Sequence, residues 1–328
     1  MQVLVAGGAG YIGSHAVYQL IRAGHGVIVY DNLSTGQREA VHPEARFVQA
    51  DIRDQTALET VFAQEAAAGR PVEVAMHFAA KLIVPESLTQ PLAYYQNNVE
   101  GLRTMLAAMV ERGVPNIVFS STAAVYGEPI SPVCLEDSPT LPINPYGETK
   151  LACERMIRWV CAAHGMNYAI FRYFNVAGAD SSLQIGLNKD QLTHLIPLIM
   201  QSALGLRERL EIYGNDYDTP DGTCIRDYIH VSDLAQAHVL GAEYLTQNKG
   251  SLLANLGSGH GYSVSEVVAA AERMFSFKWG FAPRRAGDPA KLTADISRAR
   301  ELLGWQPQLS LEQMLRSDYD YRRKISEG

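Results

Sequence analysis

The feature that most constrains the fold is a glycine-rich turn that follows a short apolar run at residues 3–6. Gly7, Gly10 and Gly13 fit a GxxGxxG spacing, and Gly8, Gly10 and Gly13 fit GxGxxG. Glycine lets the backbone turn tightly between a strand and a helix and approach a pyrophosphate at the helix N-terminus. A tight turn without a ligand is the alternative interpretation. With a strand before it and a helix after it, the turn predicts dinucleotide binding.

The first half of the chain alternates short apolar runs with longer segments of helical spacing. The apolar runs lie at residues 3–6, 27–30, 46–50, 72–78, 117–120 and 168–173, and the helical spacing at residues 11–23, 56–67, 99–112 and 146–164. Such strands are typical of a parallel sheet that helices cover on both faces. We therefore predict an α/β fold. We expect a doubly wound parallel (Rossmann) sheet at residues 1–176 to bind the dinucleotide. We expect a smaller, loop-rich α/β domain at residues 177–328 to bind the substrate, with later segments able to return to the first domain.

An acidic residue ends the second predicted strand. Asp31 lies roughly 20 residues after the glycine turn, where a carboxylate accepts hydrogen bonds from the ribose hydroxyls of a dinucleotide. The same carboxylate repels the 2′-phosphate of NADP, and no arginine follows in residues 32–34. The sequence therefore favours NAD as the cofactor, with a loop cap as the alternative role for Asp31.

A tyrosine and a lysine four residues apart indicate acid–base chemistry. Tyr146 and Lys150 share one face of a predicted helix that begins near Pro145. A lysine ammonium beside a phenol favours the phenolate, so we expect the pKa of Tyr146 to lie below its usual value of about 10. Thr122 follows the strand run at residues 117–120, at the carboxyl edge of the sheet, and offers a hydroxyl to a substrate oxygen. Taken alone, a tyrosine and lysine at this spacing are usually a solvated pair, and a polar strand end is the alternative interpretation of Thr122.

The order of these motifs resembles the extended short-chain dehydrogenases/reductases, because residues 51–52, residues 78–80 and Asn97 also match that family. More closely, the whole chain resembles the UDP-glucose 4-epimerases, through the strings at residues 172–175, 213–217, 221–223, 226–231 and 281–288. The resemblance implies an isomerase that interconverts UDP-galactose and UDP-glucose by transient oxidation at C4 with a retained NAD. It also implies a homodimer, formed through the helix at residues 151–160 and the helix after Asn97.

The resemblance also implies roles for individual positions. The implied catalytic residues are Tyr146, Lys150 and Thr122. The implied NAD-binding residues are Gly7, Gly10, Tyr11, Ile12, Gly13, Asp31, Asn32, Asp51, Ile52, Phe78, Ala79, Ala80, Asn97, Tyr146, Lys150 and Tyr173. The implied UDP-sugar-binding residues are Thr122, Tyr146, Asn175, His194, Leu195, Tyr213, Arg226, Arg285, Asp288 and Leu292. Without the resemblance, ordinary surface ion pairs would be an equal explanation for the two arginines.

Several positions depart from the family pattern. Leu82 stands where the family has a lysine, and Lys81 lies one residue earlier. His194 replaces an asparagine near the diphosphate, where it adds charge or simply packs. Leu292 lies in size between the bulky tyrosine of members limited to plain hexoses and the small residue of members that accept an N-acetyl group. The range of sugars therefore stays open.

Two further departures bear on the reaction. Ala123 and Ala124 replace the Asp-Glu pair of the related 4,6-dehydratases, so dehydration lacks its acid and base. The open alternatives are a 4-epimerase of another UDP-sugar, such as a UDP-N-acetylhexosamine or a UDP-pentose, and a net NAD-dependent nucleotide-sugar oxidoreductase. A non-catalytic NAD-sensing protein of this fold would be expected to lack Tyr146 or Lys150, and both are present.

Composition restricts the partners and the location. A net charge of −7 argues against a nucleic-acid-binding protein, which needs a basic face. The sequence has no apolar run near the roughly 20 residues that span a bilayer, and no signal-peptide pattern at its start, so we expect no membrane partner and a cytoplasmic location. The irregular spacing of the four cysteines and nine histidines indicates neither a disulfide framework nor a metal site.

Overall fold

The computed structural model describes residues 1–188, 192–284 and 289–327. The chain forms two compact units. The first unit comprises Met1–Gly127, Thr140–Arg172 and Ala235–Ala254, and the second comprises Glu128–Pro139, Tyr173–Leu234 and Asn255–Gly328. Each unit is therefore assembled from three separate stretches of the chain.

The elements are numbered along the chain. The strands are β1 (Gln2–Ala6), β2 (Gly26–Asp31), β3 (Arg46–Gln49), β4 (Val74–His77), β5 (Asn116–Thr122), β6 (Val133–Cys134), β7 (Asn167–Tyr173), β8 (Asn175–Ala177), β9 (Leu210–Tyr213), β10 (Ile225–His230), β11 (Leu252–Leu256), β12 (Gly261–Ser263), β13 (Trp279–Ala282) and β14 (Lys291–Ala294). The α-helices are α1 (Tyr11–Arg22), α2 (Gln55–Ala67), α3 (Val84–Thr89), α4 (Pro91–Tyr94), α5 (Gly101–Arg112), α6 (Pro145–His164), α7 (Leu195–Ala203), α8 (Val231–Thr246), α9 (Val264–Glu272), α10 (Ser297–Leu303) and α11 (Leu311–Glu327). Arg38–Ala40 and Ala123–Tyr126 are 3₁₀ turns, and Tyr95–Glu100 is a π-helical segment. Within the described ranges, none of the helices has the length and apolar character needed to cross a bilayer.

The larger sheet has seven strands in the order β11-β7-β5-β4-β1-β2-β3. The neighbours from β3 to β5 pair in parallel. The order reverses between β1 and β4, as in doubly wound folds, where ligands bind outside the carboxyl ends of the strands at the reversal. The predicted α/β fold is confirmed, and the six predicted strands correspond to β1 to β5 and β7. The sequence does not reveal β11, the seventh strand.

The strands of this sheet form a largely buried interior, and most of their residues are apolar. Residues 3–6 of β1 are fully buried, as expected for a strand covered on both faces. Leu4 belongs to one apolar cluster with Leu58 of α2, Leu102 of α5 and Ile157 of α6. Burial of each such side chain stabilises the fold by roughly 2 kcal/mol, so these helices are held on the sheet mainly by apolar packing.

Local sequence sets both ends of α6, the helix predicted to carry the catalytic tyrosine and lysine. Asn144 precedes the helix, and its side chain accepts a hydrogen bond from the backbone N–H of Gly147 at 2.9 Å. Pro145 lies in the first turn, where its missing N–H has no partner to lose. Gly165 ends the helix with a φ of +65°, a conformation that favours glycine.

The second unit has its own sheets and its own core. One sheet has the order β12-β10-β14-β6, with β8 also paired to β10, and β9 pairs in parallel with β13. Helices α7, α9 and α11 contribute to a separate apolar cluster. Asp227 of β10 is fully buried, and its carboxylate accepts hydrogen bonds from the backbone N–H groups of Ser258, Gly259 and Ala294. This carboxylate therefore fixes β10 to β14 and to the loop after β11.

Candidate functional site

The glycine turn leaves no space for side chains between β1 and α1. Gly7 has a φ of +81°, and a Cβ there would lie 2.6 Å from the backbone nitrogen of Ala79, in the loop after β4. Gly10 directly precedes α1, and a Cβ on Gly13 would overlap the carbonyl oxygen of Gly7. The first N–H groups of α1 and the positive end of its dipole are therefore approachable by a bulky anion. The turn forms a cradle suited to a pyrophosphate.

A polar cluster lies at the carboxyl ends of β2 and β3. Asp31 accepts a hydrogen bond from the backbone N–H of Ala9 at 3.0 Å, so its carboxylate lies beside the glycine turn. Asn32 donates to Asp51 at 3.0 Å. Two nitrogens of Arg53 also donate to Asp51, both at 2.8 Å, and these bonds hold the pKa of Asp51 below its usual range. The structure thus brings the predicted residues Asp31, Asn32 and Asp51 together.

The remaining predicted cofactor residues of the first unit lie near the same edge of the sheet, because parallel strands end on one side. The residues that follow β1, β3 and β4 are Tyr11, Ile12, Ile52, Phe78, Ala79 and Ala80. Asn97 lies on the π-helical segment, and its amide donates to the side-chain oxygen of Asn98 at 3.0 Å. Tyr173, at the end of β7, belongs to the second unit.

Tyr146, Thr122 and Lys150 meet at the carboxyl end of β5. Burial raises the pKa of Tyr146 to about 12, although a hydrogen bond from the Thr122 side chain opposes the rise. Lys150 lies one turn further along α6 and is only 2% exposed. Its ammonium donates a hydrogen bond to the carbonyl oxygen of Ser120 at 2.7 Å, and burial lowers the pKa of Lys150 to about 8.

The expectation that the pKa of Tyr146 lies below 10 is therefore wrong for the chain without a cofactor. Burial removes the water that would stabilise the phenolate, and this effect exceeds the opposing hydrogen bond from Thr122. The Lys150 ammonium is directed at the Ser120 carbonyl and lies 4.8 Å from the centre of the Phe119 ring. An additional positive charge close to the phenol would bring its pKa down towards neutrality.

Three of the predicted substrate residues lie together in the second unit. Asn175, His194 and Leu195 line one cleft with Tyr228. The side-chain amide of Asn175 donates to the carbonyl oxygen of Asp227 at 3.0 Å, which fixes β8 beside β10. His194 is exposed and directly precedes α7. The cleft is therefore lined by an amide, an imidazole and apolar side chains.

The other predicted substrate residues lie on neighbouring strands of the same unit. Tyr213 ends β9 and is half-buried. Arg226 of β10 lies opposite Leu292 of β14, and both residues are half-buried. The carboxylate of the adjacent Asp227 accepts from backbone N–H groups, which argues against a simple surface pair with Arg226. Arg285 and Asp288 lie outside the described residues.

Lys81 interacts within its own part of the chain. Its ammonium lies 3.0 Å from a carboxylate oxygen of Glu86 and 5.7 Å from the centre of the Tyr94 ring. Leu82, which stands at the family's lysine position, is 41% exposed. The lysine of this chain, Lys81, therefore lies one residue before the family's lysine position and forms an ion pair with Glu86.

Comparison with known proteins identifies the family. The model of the NAD dependent epimerase/dehydratase family matches residues 3–257. This chain belongs to that family. The UDP-glucose 4-epimerase of Lacticaseibacillus casei is 47% identical to it, over 100% of this chain and 98% of the relative.

Solved structures of the family superpose on the whole chain. A crystal structure of a UDP-glucose 4-epimerase has a TM-score of 0.96 at 46% identity and covers 100% of this chain and 99% of its own. The UDP-glucose 4-epimerase of Bifidobacterium longum, in complex with NAD⁺ and UDP, has a TM-score of 0.92 at 36% identity and covers 100% of both chains. The resemblance to the UDP-glucose 4-epimerases is therefore confirmed.

Two buried polar residues of this family member escape prediction from sequence. Asn98 is 1% exposed, and its amide donates to the carbonyl oxygen of Lys81 at 3.0 Å and to the hydroxyl of Thr149 at 3.2 Å. Asn98 therefore connects the loop after β4 to α6, and no local sequence pattern predicts this role. Glu154, also 1% exposed, lies two turns after Tyr146 on the same face of α6. A carboxylate on the face of the catalytic pair is the signal that could have identified it.

Proposed function

We propose that this protein is a UDP-glucose 4-epimerase, which interconverts UDP-galactose and UDP-glucose with bound NAD. The observation that carries the proposal is the meeting of Tyr146, Thr122 and Lys150 at one strand end, in a chain similar over its full length to curated enzymes of that name. We also propose that the first unit is the NAD-binding domain and the second the UDP-sugar-binding domain. Each unit draws on separate stretches of the chain, so later segments return to the first domain in this proposal.

The residues of the first unit fit NAD. The glycine cradle admits a pyrophosphate, and Asp31 lies beside it with a carboxylate that can accept from ribose hydroxyls. The negative charge of Asp31 disfavours a 2′-phosphate and therefore NADP. Bound NAD would supply the acceptor and then the donor for the hydride at C4 of the sugar.

Tyr146 moves the proton in the proposed reaction. Its phenolate oxygen takes the proton of the sugar 4-hydroxyl and returns it to the oxygen of the 4-keto sugar, while the Thr122 hydroxyl hydrogen-bonds the same oxygen. A phenol with a pKa of about 12 is a weak acid at neutral pH, so the base forms only with positive charge nearby. Lys150 lies one turn from Tyr146 on the same face of α6, and the cationic ring of a bound cofactor would add a second positive charge.

The second unit holds the UDP part of the substrate in this proposal. The 4-keto sugar has to turn over between the two hydride transfers, so the binding free energy must come mainly from UDP. Asn175, His194 and Leu195 share a cleft, and Tyr213 and Arg226 lie on strands of the same unit. An arginine suits a diphosphate because its planar guanidinium can donate two parallel hydrogen bonds.

The test is an incubation of the purified protein with UDP-galactose, without added NAD, followed by chromatographic separation of the products. We expect UDP-glucose to form and the denatured protein to release NAD. Tyr146→Phe removes one hydroxyl and is the matched variant, with an expected loss of turnover of roughly 10²- to 10⁴-fold. Absence of conversion, even with NAD supplied, would refute the proposed function.

The sugar range is tested with the same assay. Leu292 is half-buried on β14 and has an intermediate size, so we run UDP-N-acetylgalactosamine and a UDP-pentose in parallel with UDP-galactose. Leu292→Tyr should reduce turnover of the N-acetylated sugar more than turnover of UDP-galactose, because added volume excludes the larger substrate. Equal reductions in the turnover of UDP-N-acetylgalactosamine and UDP-galactose would show that Leu292 does not determine the sugar specificity.

We also propose a homodimer in the cytoplasm. The family resemblance supports the dimer, and Trp159, on the helix that the resemblance implies for the interface, is a large apolar side chain that is 78% exposed. All four cysteines are buried thiols, as in a reducing compartment. Light scattering should give the mass of two chains, and Trp159→Glu should give the mass of one.

A further inference from the structure

Two residues at the end of β5 hold the predicted catalytic pair on α6. The Thr122 side chain hydrogen-bonds the phenol of Tyr146, and the carbonyl oxygen of Ser120 accepts from the Lys150 ammonium at 2.7 Å. Because the two helix residues are four apart, they lie on one face of α6. Strand and helix are therefore aligned residue by residue at the reactive groups.

The residue between these two strand positions binds one turn further along the same helix face. The hydroxyl of Ser121 donates to Glu154 at 2.5 Å. Arg172 of β7 donates to both carboxylate oxygens of Glu154, at 2.9 and 2.6 Å, and also to the hydroxyl of Tyr126 at 3.2 Å. All four residues are at most 2% exposed. Glu154 is thus a third anchor of α6, fixed to two strands and to the turn after β5.

This buried ion pair needs an explanation other than stability. Removing two charges from water costs about as much free energy as their attraction returns, so an apolar pair of equal volume would hold the helix about as well. What an ion pair adds is directional: Arg172 fits Glu154 in one geometry, with two parallel hydrogen bonds. A helix held in this way cannot slide or rotate on the sheet without breaking them.

The pair also sets the charge near the reactive groups. The negative charge of Glu154 acts on Lys150, one turn away, and favours its charged form. An uncompensated carboxylate at this place would oppose formation of the Tyr146 phenolate. The guanidinium of Arg172 donates to both oxygens of Glu154 and neutralises it, so little net negative charge is left beside the reactive groups.

We propose that Glu154 and Arg172 are positioning residues for the epimerisation, which align Tyr146 and Lys150 with Thr122 and balance the charge beside Lys150. The proposal rests on the proposed function of the site. Neither residue touches the substrate in this assignment, and both act through α6. The titratable and charged groups around the Tyr146–Lys150–Glu154 face are His77 on β4, Tyr94 on α4, Tyr126 in the turn after β5, Cys153 and Arg158 on α6, and Arg172 on β7.

Two single substitutions separate electrostatic positioning from general damage, because they act with opposite signs. Glu154→Gln removes a negative charge, which should lower the pKa values of both Lys150 and Tyr146. Arg172→Gln removes the compensating positive charge, which should raise both. In the pH profile of kcat/KM for UDP-galactose, we expect the acidic limb to move about one pH unit lower in Glu154→Gln and about one pH unit higher in Arg172→Gln. We also expect kcat to fall more than KM rises, since substrate contacts are unchanged.

The matched control is Arg158→Gln. Arg158 is on the same helix and approaches the Glu154 carboxylate at 3.9 Å, but its side chain is 45% exposed and its charge is screened by water. Its removal should leave the pH profile in place. Shifts of equal sign in the Glu154 and Arg172 variants, or a shift in the control as large as theirs, would overturn the proposal.

A second measurement does not depend on activity. NMR of the holoenzyme labelled with ¹³C at the lysine ε-carbons reports the pKa of Lys150, with Lys150→Arg to assign the signal. A fall in Glu154→Gln supports the proposal, and an unchanged value refutes it, even where Arg172→Gln does not fold. If the wild-type protein turns over no UDP-hexose, the proposed function fails, while this titration still decides whether Glu154 and Arg172 set the charge at Lys150.

Discussion

Lys150→Met should destroy activity and increase stability. The lysine is fully enclosed, and burial lowers its pKa from 10.5 to about 8. At 1.36 kcal/mol per unit, the folded state therefore carries a cost of about 3 kcal/mol for the buried charge at neutral pH. Methionine removes that cost but loses the hydrogen bond to Ser120 and the cation above Phe119, together worth about 1–2 kcal/mol. The free energy of unfolding of the variant should therefore exceed that of the wild-type protein by about 1–2 kcal/mol.

The pH dependence gives this expectation a second, sharper form. Because the pKa of Lys150 is lower in the folded than in the unfolded protein, protonation favours unfolding. In the wild-type protein the buried charge of Lys150 lowers the free energy of unfolding by its full amount below pH 8. This destabilisation disappears as the pH rises towards 10.5. The advantage of Lys150→Met should therefore be full at pH 7.5 and should shrink as the pH approaches 10.

Urea unfolding of nucleotide-free proteins measures the effect, since bound NAD would add its own stabilisation. Lys278→Met is the control, because Lys278 is exposed, and its free energy of unfolding should change by no more than about 0.5 kcal/mol. A Lys150→Met variant that is less stable than wild type, or whose advantage is the same at both pH values, would show that the buried charge is not the governing cost.

Three further changes test the site. Thr122→Ala should lower kcat by roughly 10²-fold. It should also move the acidic limb of the pH profile of kcat to higher pH, because the hydrogen bond that lowers the pKa of Tyr146 is lost. Thr122→Ser keeps the hydroxyl and should therefore keep the wild-type kcat and pH profile. Gly13→Ala should reduce the NAD released on denaturation well below wild type, since its methyl group overlaps the Gly7 carbonyl. Asp31→Asn should reduce the ratio of the Kd for NADP to the Kd for NAD by about tenfold, as measured by fluorescence titration. An unchanged ratio of the two Kd values would show that Asp31 does not select the cofactor.

The parallel sheet is the part of the fold that apolar runs predict well. Strands buried on both faces are mostly apolar, so the run at residues 72–78 locates β4 (Val74–His77) within two residues. The helical spacing at residues 99–112 likewise contains α5. The π-helical segment at Tyr95–Glu100 is not predictable in this way, because its geometry accompanies the long-range bonds of Asn98 to Lys81 and Thr149.

The structure brings three of the predicted site residues together, but local sequence does not predict their environment. Helical spacing is sufficient to put Tyr146 and Lys150 on one face, and the strand end is sufficient to bring Thr122 to them. The pKa of Tyr146 depends on how completely the folded chain excludes water, which no local pattern contains. Arg172 illustrates the same limit, because it belongs to a string that resembles a UDP-sugar segment but lies buried against Glu154.

The way the two units share the chain has a consequence for synthesis on the ribosome. The chain passes from one unit to the other after residues 127, 139, 172, 234 and 254. The first unit therefore lacks its edge strand β11 until residue 256 has left the ribosome. Until then β7 presents an unpaired edge, the kind of surface that chaperones protect and that aggregates when left open. Truncation after residue 176 should yield an aggregation-prone fragment rather than a free-standing nucleotide-binding domain.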